Sequence, residues 1–449
     1  MTQVRARSGD REHNPHPAAK RNRYLELLRA PGALAFSSAG FVGRMSMSMY
    51  GLGTVLLIAL LTGHYGEAGT VAAAGAVGYA VLSPVIATRA DRLGQRRVLF
   101  VQAAVFALSS VVFISFAELG APFWTLLVTG LLAGASMPSI GTMVRTRWST
   151  LVDGDARRLH TAFALESVND EFIFVIGPAL VTLLATQLFP ASGIGTASLL
   201  CIVGTLLLAA QRRTEPTPKP KPKQKPTRDT VAESAPARRL RPWQRLGPVG
   251  WPSLPAAGLV TLAPAFLLFG AMFSAIDLST VAFATDLGHR PVAGLILGTY
   301  AFGSAVGGLW YGSRHWTAPL GRRFTITAAL TVAGVSAFWA VPGLLVLDAV
   351  GFIAGLAISP TLMTGYAILE RQAPPHRTTE AMAWLSSTIS VGVAVGSAFS
   401  GHIIDAVGAR WSFAFAACCG AAGVLICVAG RRRLRTDDDQ QQAELSAAT

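Results

Sequence analysis

The chain has 449 residues, of which 51% are hydrophobic and only 14% charged; its formal net charge is +14 and its mean hydropathy +0.46. Soluble domains carry about 25% charged residues, so a water-soluble globular fold is excluded. A nucleic-acid partner is not expected either, because the basic residues sit in short connectors between apolar runs instead of forming one folded face.

Residues 1–33 form a polar, basic N-terminal tail. No short apolar segment with a small-residue cleavage site follows it, so the first apolar run is expected to stay in the chain as a spanning helix. Apolar runs fall near 34–62, 68–90, 98–117, 122–144, 160–187 and 193–210. Six more fall near 256–284, 291–313, 324–342, 343–367, 379–406 and 411–430. Each is long enough to cross a hydrocarbon core of about 30 Å. The expectation is an all-α integral membrane protein of about twelve transmembrane helices in two pseudo-symmetric six-helix bundles, residues 34–211 and 251–430.

The first run carries Arg44 about ten residues in, and Met45, Met47 and Met49 beside it. An ionisable residue at a helix centre costs about 2.5–3.5 kcal/mol on insertion scales and persists where it finds a partner or a cavity. The fifth run holds the densest such group: Glu166, Asn169, Asp170 and Glu171. Glu166 and Asp170 are four apart and share a face, while Glu171 lies about 100° round from Asp170. Arg44 stands at a similar depth, and a pair between Arg44 and Asp170 or Glu171 is expected, either as a coupling device or as a permanent ion pair. Glu166 could instead snorkel to the surface. Further along, Gly177-Pro178 interrupts the helix; Pro178 has no N–H and frees the Phe174 carbonyl, so a kink follows.

Residues 212–250 contain PTPKPKPKQKPTRD and form a basic linker, expected to be extended and cytoplasmic. In the seventh run Asp277 has no basic residue near it in sequence and is expected to face a cavity or a polar neighbour. Asp348, only five residues into the tenth run, is expected near the surface. The segment Thr161-Ala162-Phe163-Ala164-Leu165-Glu166-Ser167 before Gly177 has a counterpart in Glu380-Ala381-Met382-Ala383-Trp384-Leu385-Ser386 before Gly396, at one offset. Two six-helix halves joined by a basic linker is the layout of a parallel-repeat carrier. Residues 431–449 are expected to form a disordered, cytoplasmic tail. Cys201, Cys418, Cys419 and Cys427 lie in apolar runs without metal-ligand or redox spacing.

Arginine alternates between connectors: Arg89, Arg92, Arg96 and Arg97, then Arg145, Arg147, Arg157 and Arg158, then Arg314, Arg322 and Arg323, then Arg371 and Arg377. That set is expected to be cytoplasmic, with both termini, in a multi-pass protein of the cell membrane.

The connector 87–97, with Asp91, Arg92, Gly94 and Arg96, resembles the G-x-x-x-D-R-x-G-R-R/K signature of the major facilitator superfamily. Ala87 replaces its glycine, and Gln95 stands where a basic residue is frequent. The resemblance implies a cavity lined by the first, fourth, seventh and tenth helices. It also implies that one bundle rocks against the other, and that Asp91 latches the cytoplasmic side until the carrier opens inward. Gly177-Pro178 resembles part of the fifth-helix motif of family exporters, with Ile173 in place of another glycine. Many proton-coupled members carry an arginine midway along the fourth helix; here none precedes Arg145. The function implied is proton-coupled export of small amphipathic organic compounds. The alternatives are an uptake carrier or facilitator for a polar solute, and a non-transporting receptor or scaffold. The expected partners are a small-molecule substrate, protons and the bilayer; a monomer suffices. No enzyme motif, cofactor site or metal site is expected: G-x-S-x-G, H-E-x-x-H and a Walker sequence are missing.

Overall fold

The computed structural model describes residues 23–152, 155–217, 258–314, 316, 318–373 and 378–434. Residues 1–22 of the N-terminal tail, linker residues 218–250, residues 251–257 and the tail from residue 435 lie outside the described residues. Among those described, every regular element is helical, and twelve spans are long and apolar enough to cross a membrane. They run Ala33–Thr62, Tyr65–Ala90, Gln95–Glu118, Phe123–Leu151, Arg157–Gln187 and Pro190–Ala210, then Leu259–Asp286, Val292–Gly312, Leu320–Ala340, Leu344–Gln372, Trp384–Val407 and Ala409–Ala429.

Two spans depart from the sequence reading in a way that matters for the site. The fourth does not stop near residue 144. It is two helices, Phe123–Ser136 and Ile140–Leu151, separated at Met137-Pro138-Ser139. The ring of Pro138 disfavours the helical region for the residue before it, and Met137 is extended. The tenth is likewise two helices, Leu344–Gly355 and Ile358–Gln372. Pro360 falls in the first turn of the second, where its missing N–H has no helical acceptor in any case. Arg145 and Arg147, expected in a connector, are therefore helical residues.

The two halves repeat one packing scheme. The first span packs on the fifth and sixth, as the seventh packs on the eleventh and twelfth. The second packs on the fourth, as the eighth packs on the tenth. Between halves, the second span meets the eleventh and the fifth meets the eighth, again a matched pair. Small residues allow these approaches. Gly69 faces the Ser397 carbonyl, Gly401 faces Tyr65, and Gly294 and Gly298 face Pro178, Ala179 and Val175. All of these contacts lie toward the arginine-poor end of the molecule, the end of the turns at Gly63, Gly288 and Gly408. The helices at the other end, Ile140–Leu151 and Ile358–Gln372, pack chiefly within their own halves.

Candidate functional site

Arg44 is buried, 1% exposed, and is the hub of a network across three spans of the first half. One guanidinium nitrogen donates to the Glu166 carboxylate, and another donates to Asp170 Oδ1 at 2.6 Å. Its Nε donates to the Gly40 carbonyl one turn back at 3.2 Å. Glu166 is 0% exposed and accepts two further bonds on Oε1, from Ser37 Oγ at 2.8 Å and Trp148 Nε1 at 2.7 Å. Asp170 Oδ2 accepts from Arg145 at 2.8 Å. Two arginines and two carboxylates thus close on themselves with no net charge. Each carboxylate has several donors, the condition under which a buried ion pair offsets its desolvation.

Arg44 joins Asp170, one of the two partners its depth suggested, and two alternatives left open by the sequence are not taken. Glu166 does not snorkel: Arg44, Ser37 and Trp148 hold it fully buried. Glu171 does not pair with Arg44: the 100° step on the helix turns it to the opposite half, where Ser359 Oγ donates to it at 2.9 Å. Ser359 also shares a hydrogen bond with Ser304 at 2.8 Å. Glu171 is partly buried and forms no ion pair among the described residues. Asn169 reaches Ser37 at 3.5 Å, at the edge of the network.

Sequence reasoning missed Arg145, Trp148, Ser304 and Ser359. Arg145 and Trp148 are three apart on the second helix of the fourth span and share a face. Reading the amphipathic stretch past residue 144 as helix would have found them. Arg147, on another face, is fully buried and braces the same helix. Its Nε donates to Gln95 Oε1 at 2.9 Å, and Nη1 donates to the Gln211 carbonyl and Thr214 Oγ1, both at 3.1 Å. Gln95 in place of a basic residue is thereby accounted for: it accepts from one arginine and gives its amide to the Met143 carbonyl.

Asp277 is partly buried and has neither hydrogen bond nor ion pair among the described residues; Tyr300 lies within electrostatic reach, its hydroxyl also unpartnered. Asp348 is partly buried near the start of the tenth span, with Oδ1 buried and without a hydrogen-bond partner among the described residues. Met45 and Met49 are core residues, and only Met47, 48% exposed, is open. Gly177 lies where a Cβ would collide with Ser48 Oγ, and Ser48 donates to the Ile173 carbonyl at 2.8 Å. The extra bond near Pro178 therefore goes to Ile173, the neighbour of Phe174.

In the connector motif, Gly94 has φ 90° and joins two helices with no intervening residue, the third beginning at Gln95. Arg92 is exposed, and the Arg96 backbone N–H donates to Glu215 at 2.8 Å. Asp91 occupies the last turn of the second helix; its side chain lies outside what the structure describes.

A sequence profile for the Major Facilitator Superfamily matches residues 36–310 and, overlapping, 262–447. No curated protein matches the chain significantly. Solved structures share the fold. A point mutant of nucleoside transporter NupG is 15% identical, with TM-score 0.65 over 89% of this chain and 99% of that one. An auto-inhibited POT family peptide transporter is 16% identical, with TM-score 0.62 over 92% and 97%. A bacterial homologue of the iron transporter ferroportin, in an inward-facing state, is 13% identical, with TM-score 0.63 over 91% and 100%.

Proposed function

The chain belongs to the major facilitator superfamily, and we propose from that premise that it is a proton-coupled exporter of small amphipathic organic compounds in the cell membrane. The arginine-rich end faces the cytoplasm, as the positive-inside bias requires. The halves meet toward the outer end, so the central space opens inward, where an exporter loads its cargo. Arg44, Arg145, Glu166 and Asp170 balance one another and hold three helices together. Glu171 is the coupling residue and Asp277 a second carboxylate for proton or substrate.

One observation carries this reading: Glu171 bonds across the halves to Ser359 and has no ion-pair partner among the described residues to hold it ionised. An ionised Glu171 accepts a charge-assisted bond from Ser359, worth about twice a neutral one. A proton arriving on Glu171 removes that charge, weakens the tie between halves, and biases their rocking. With Ser304 beside Ser359, the hydroxyl pair can reverse its donor sense and still satisfy every group.

The test is proton flux in energised inside-out vesicles, with lumenal pH followed after addition of amphipathic compounds. Wild type is expected to release protons; Glu171→Gln, folded and inserted, is expected to release none. Release unchanged in Glu171→Gln would remove coupling from this residue. Compound-driven uptake into right-side-out vesicles would reverse the direction proposed.

A further inference from the structure

We propose that Asp405 is the outer latch of the transport cycle, a carboxylate of the second half that caps a helix of the first. The second helix begins at Tyr65, and its own N-cap residue, His64, makes no side-chain capping bond. The first N–H groups of any helix lack intrahelical partners. Here the vacancy is filled from the other half: Asp405 Oδ1 accepts from Tyr65 N–H at 2.8 Å and Oδ2 accepts from Gly66 N–H at 2.7 Å. Both carboxylate oxygens are used on two successive N–H groups, at the positive end of the helix dipole.

Two neighbouring contacts close the same seam. Tyr65 Oη donates to Thr285 Oγ1 of the seventh span at 3.2 Å, and Arg290 donates to that hydroxyl at 3.0 Å. Thr70 Oγ1 lies 3.4 Å from His402 Nε2, one turn before Asp405. Gly66 is fitted to this arrangement: a Cβ there would stand 2.5 Å from His402 Nδ1 and 2.9 Å from Asp405 Oδ2.

The sequence around Asp405 repeats the connector motif at the opposite end of the molecule. Asp405-Ala406-Val407-Gly408-Ala409-Arg410 and Asp91-Arg92-Leu93-Gly94-Gln95-Arg96 are both D-x-x-G-x-R. In each, the aspartate sits in the last turn of a helix. A single glycine follows at φ near 90° (90° at Gly94, 91° at Gly408), and the next helix starts at once. The second and eleventh spans run antiparallel, and at the outer end the C-terminal turn of the eleventh meets the N-terminus of the second. In the state described here, Asp405 is engaged. The geometry makes it the counterpart, at the outer end, of whatever Asp91 does at the inner end, and alternation between two such caps gives each end its own lock. The proposal rests on the reading that the halves rock.

The test uses spin labels at Leu61→Cys and Leu287→Cys, exposed positions at the outer end in opposite halves, in the full chain with its four native cysteines replaced. Asp405→Ala is expected to raise the ratio of long to short separations about three- to tenfold, as befits exposed charge-assisted bonds, and Asp405→Asn by less. Gly66→Ala, which displaces the carboxylate without changing it, is expected to do the same and serves where Asp405→Ala does not fold. Two separations in the wild type, in a ratio that neither variant changes, would overturn the latch and leave the transport reading intact. One unchanging separation in every variant would overturn both the latch and the rocking it presupposes.

Discussion

Glu166 and Glu171 are five residues apart on one helix, yet their surroundings assign them opposite tasks. Glu166 has three side-chain donors, one of them an arginine, all within its own half; Glu171 has one hydroxyl, from the other half. Glu166→Gln leaves the buried Arg44 with only Asp170, which it shares with the more exposed Arg145, a change expected to cost about 3–5 kcal/mol. Thermal unfolding in detergent is the check, and a shift no larger than that of a surface variant would contradict the network. Glu171→Gln keeps a hydrogen-bonding group in place and is expected to cost less than about 1 kcal/mol in the same assay. The sequence announced this helix as the site because four polar residues in an apolar run demand partners. It could not name Ser359, since a serine in an apolar helix carries no pattern that marks its partner 188 residues away.

At the scale of the helix, the seams are made by glycine, and the structure separates those that bear on packing from those that do not. Gly307 faces the Leu356 carbonyl so closely that a Cβ would lie far inside van der Waals contact with backbone atoms. Gly307→Ala is expected to lose about 1–3 kcal/mol through overpacking between the eighth and tenth spans. Gly195 has nothing within 4 Å of a Cβ position, so Gly195→Ala is expected to be neutral or to gain about 0.5–1 kcal/mol from helix propensity. Melting temperatures of the two variants, measured side by side, decide the matter; equal shifts would mean that these seams are looser than described. Spans were legible from hydropathy to within a few residues. The fourth was misjudged because its second helix carries Arg145 and Arg147, and a window that ends a run at the first arginines cannot know that Asp170 and Gln95 receive them.

The whole molecule was legible as two repeated halves, because the D-R-x-G turn, the basic connectors and the duplicated fifth and eleventh runs are all local in sequence. Which ends of the halves touch was not legible, because the contacting glycines carry no signal of their own and the D-x-x-G-x-R pattern at Asp405 does not say which end is engaged. The Arg44–Glu166 pair has a consequence for how such a chain is made. Its members are 122 residues apart, so at about 5–20 residues per second the first helix waits roughly 6–25 s for its counter-charge. During that interval an arginine near its middle costs about 2.5–3.5 kcal/mol against insertion. Nascent chains halted before the fifth span should therefore hold the first helix loosely, with an engineered glycosylation or cysteine tag just after Thr62 only partly protected. Chains halted after Gln187 should protect it fully. Equal protection at both lengths would show that the first helix needs no help, and that the membrane accepts Arg44 before its partner is synthesised.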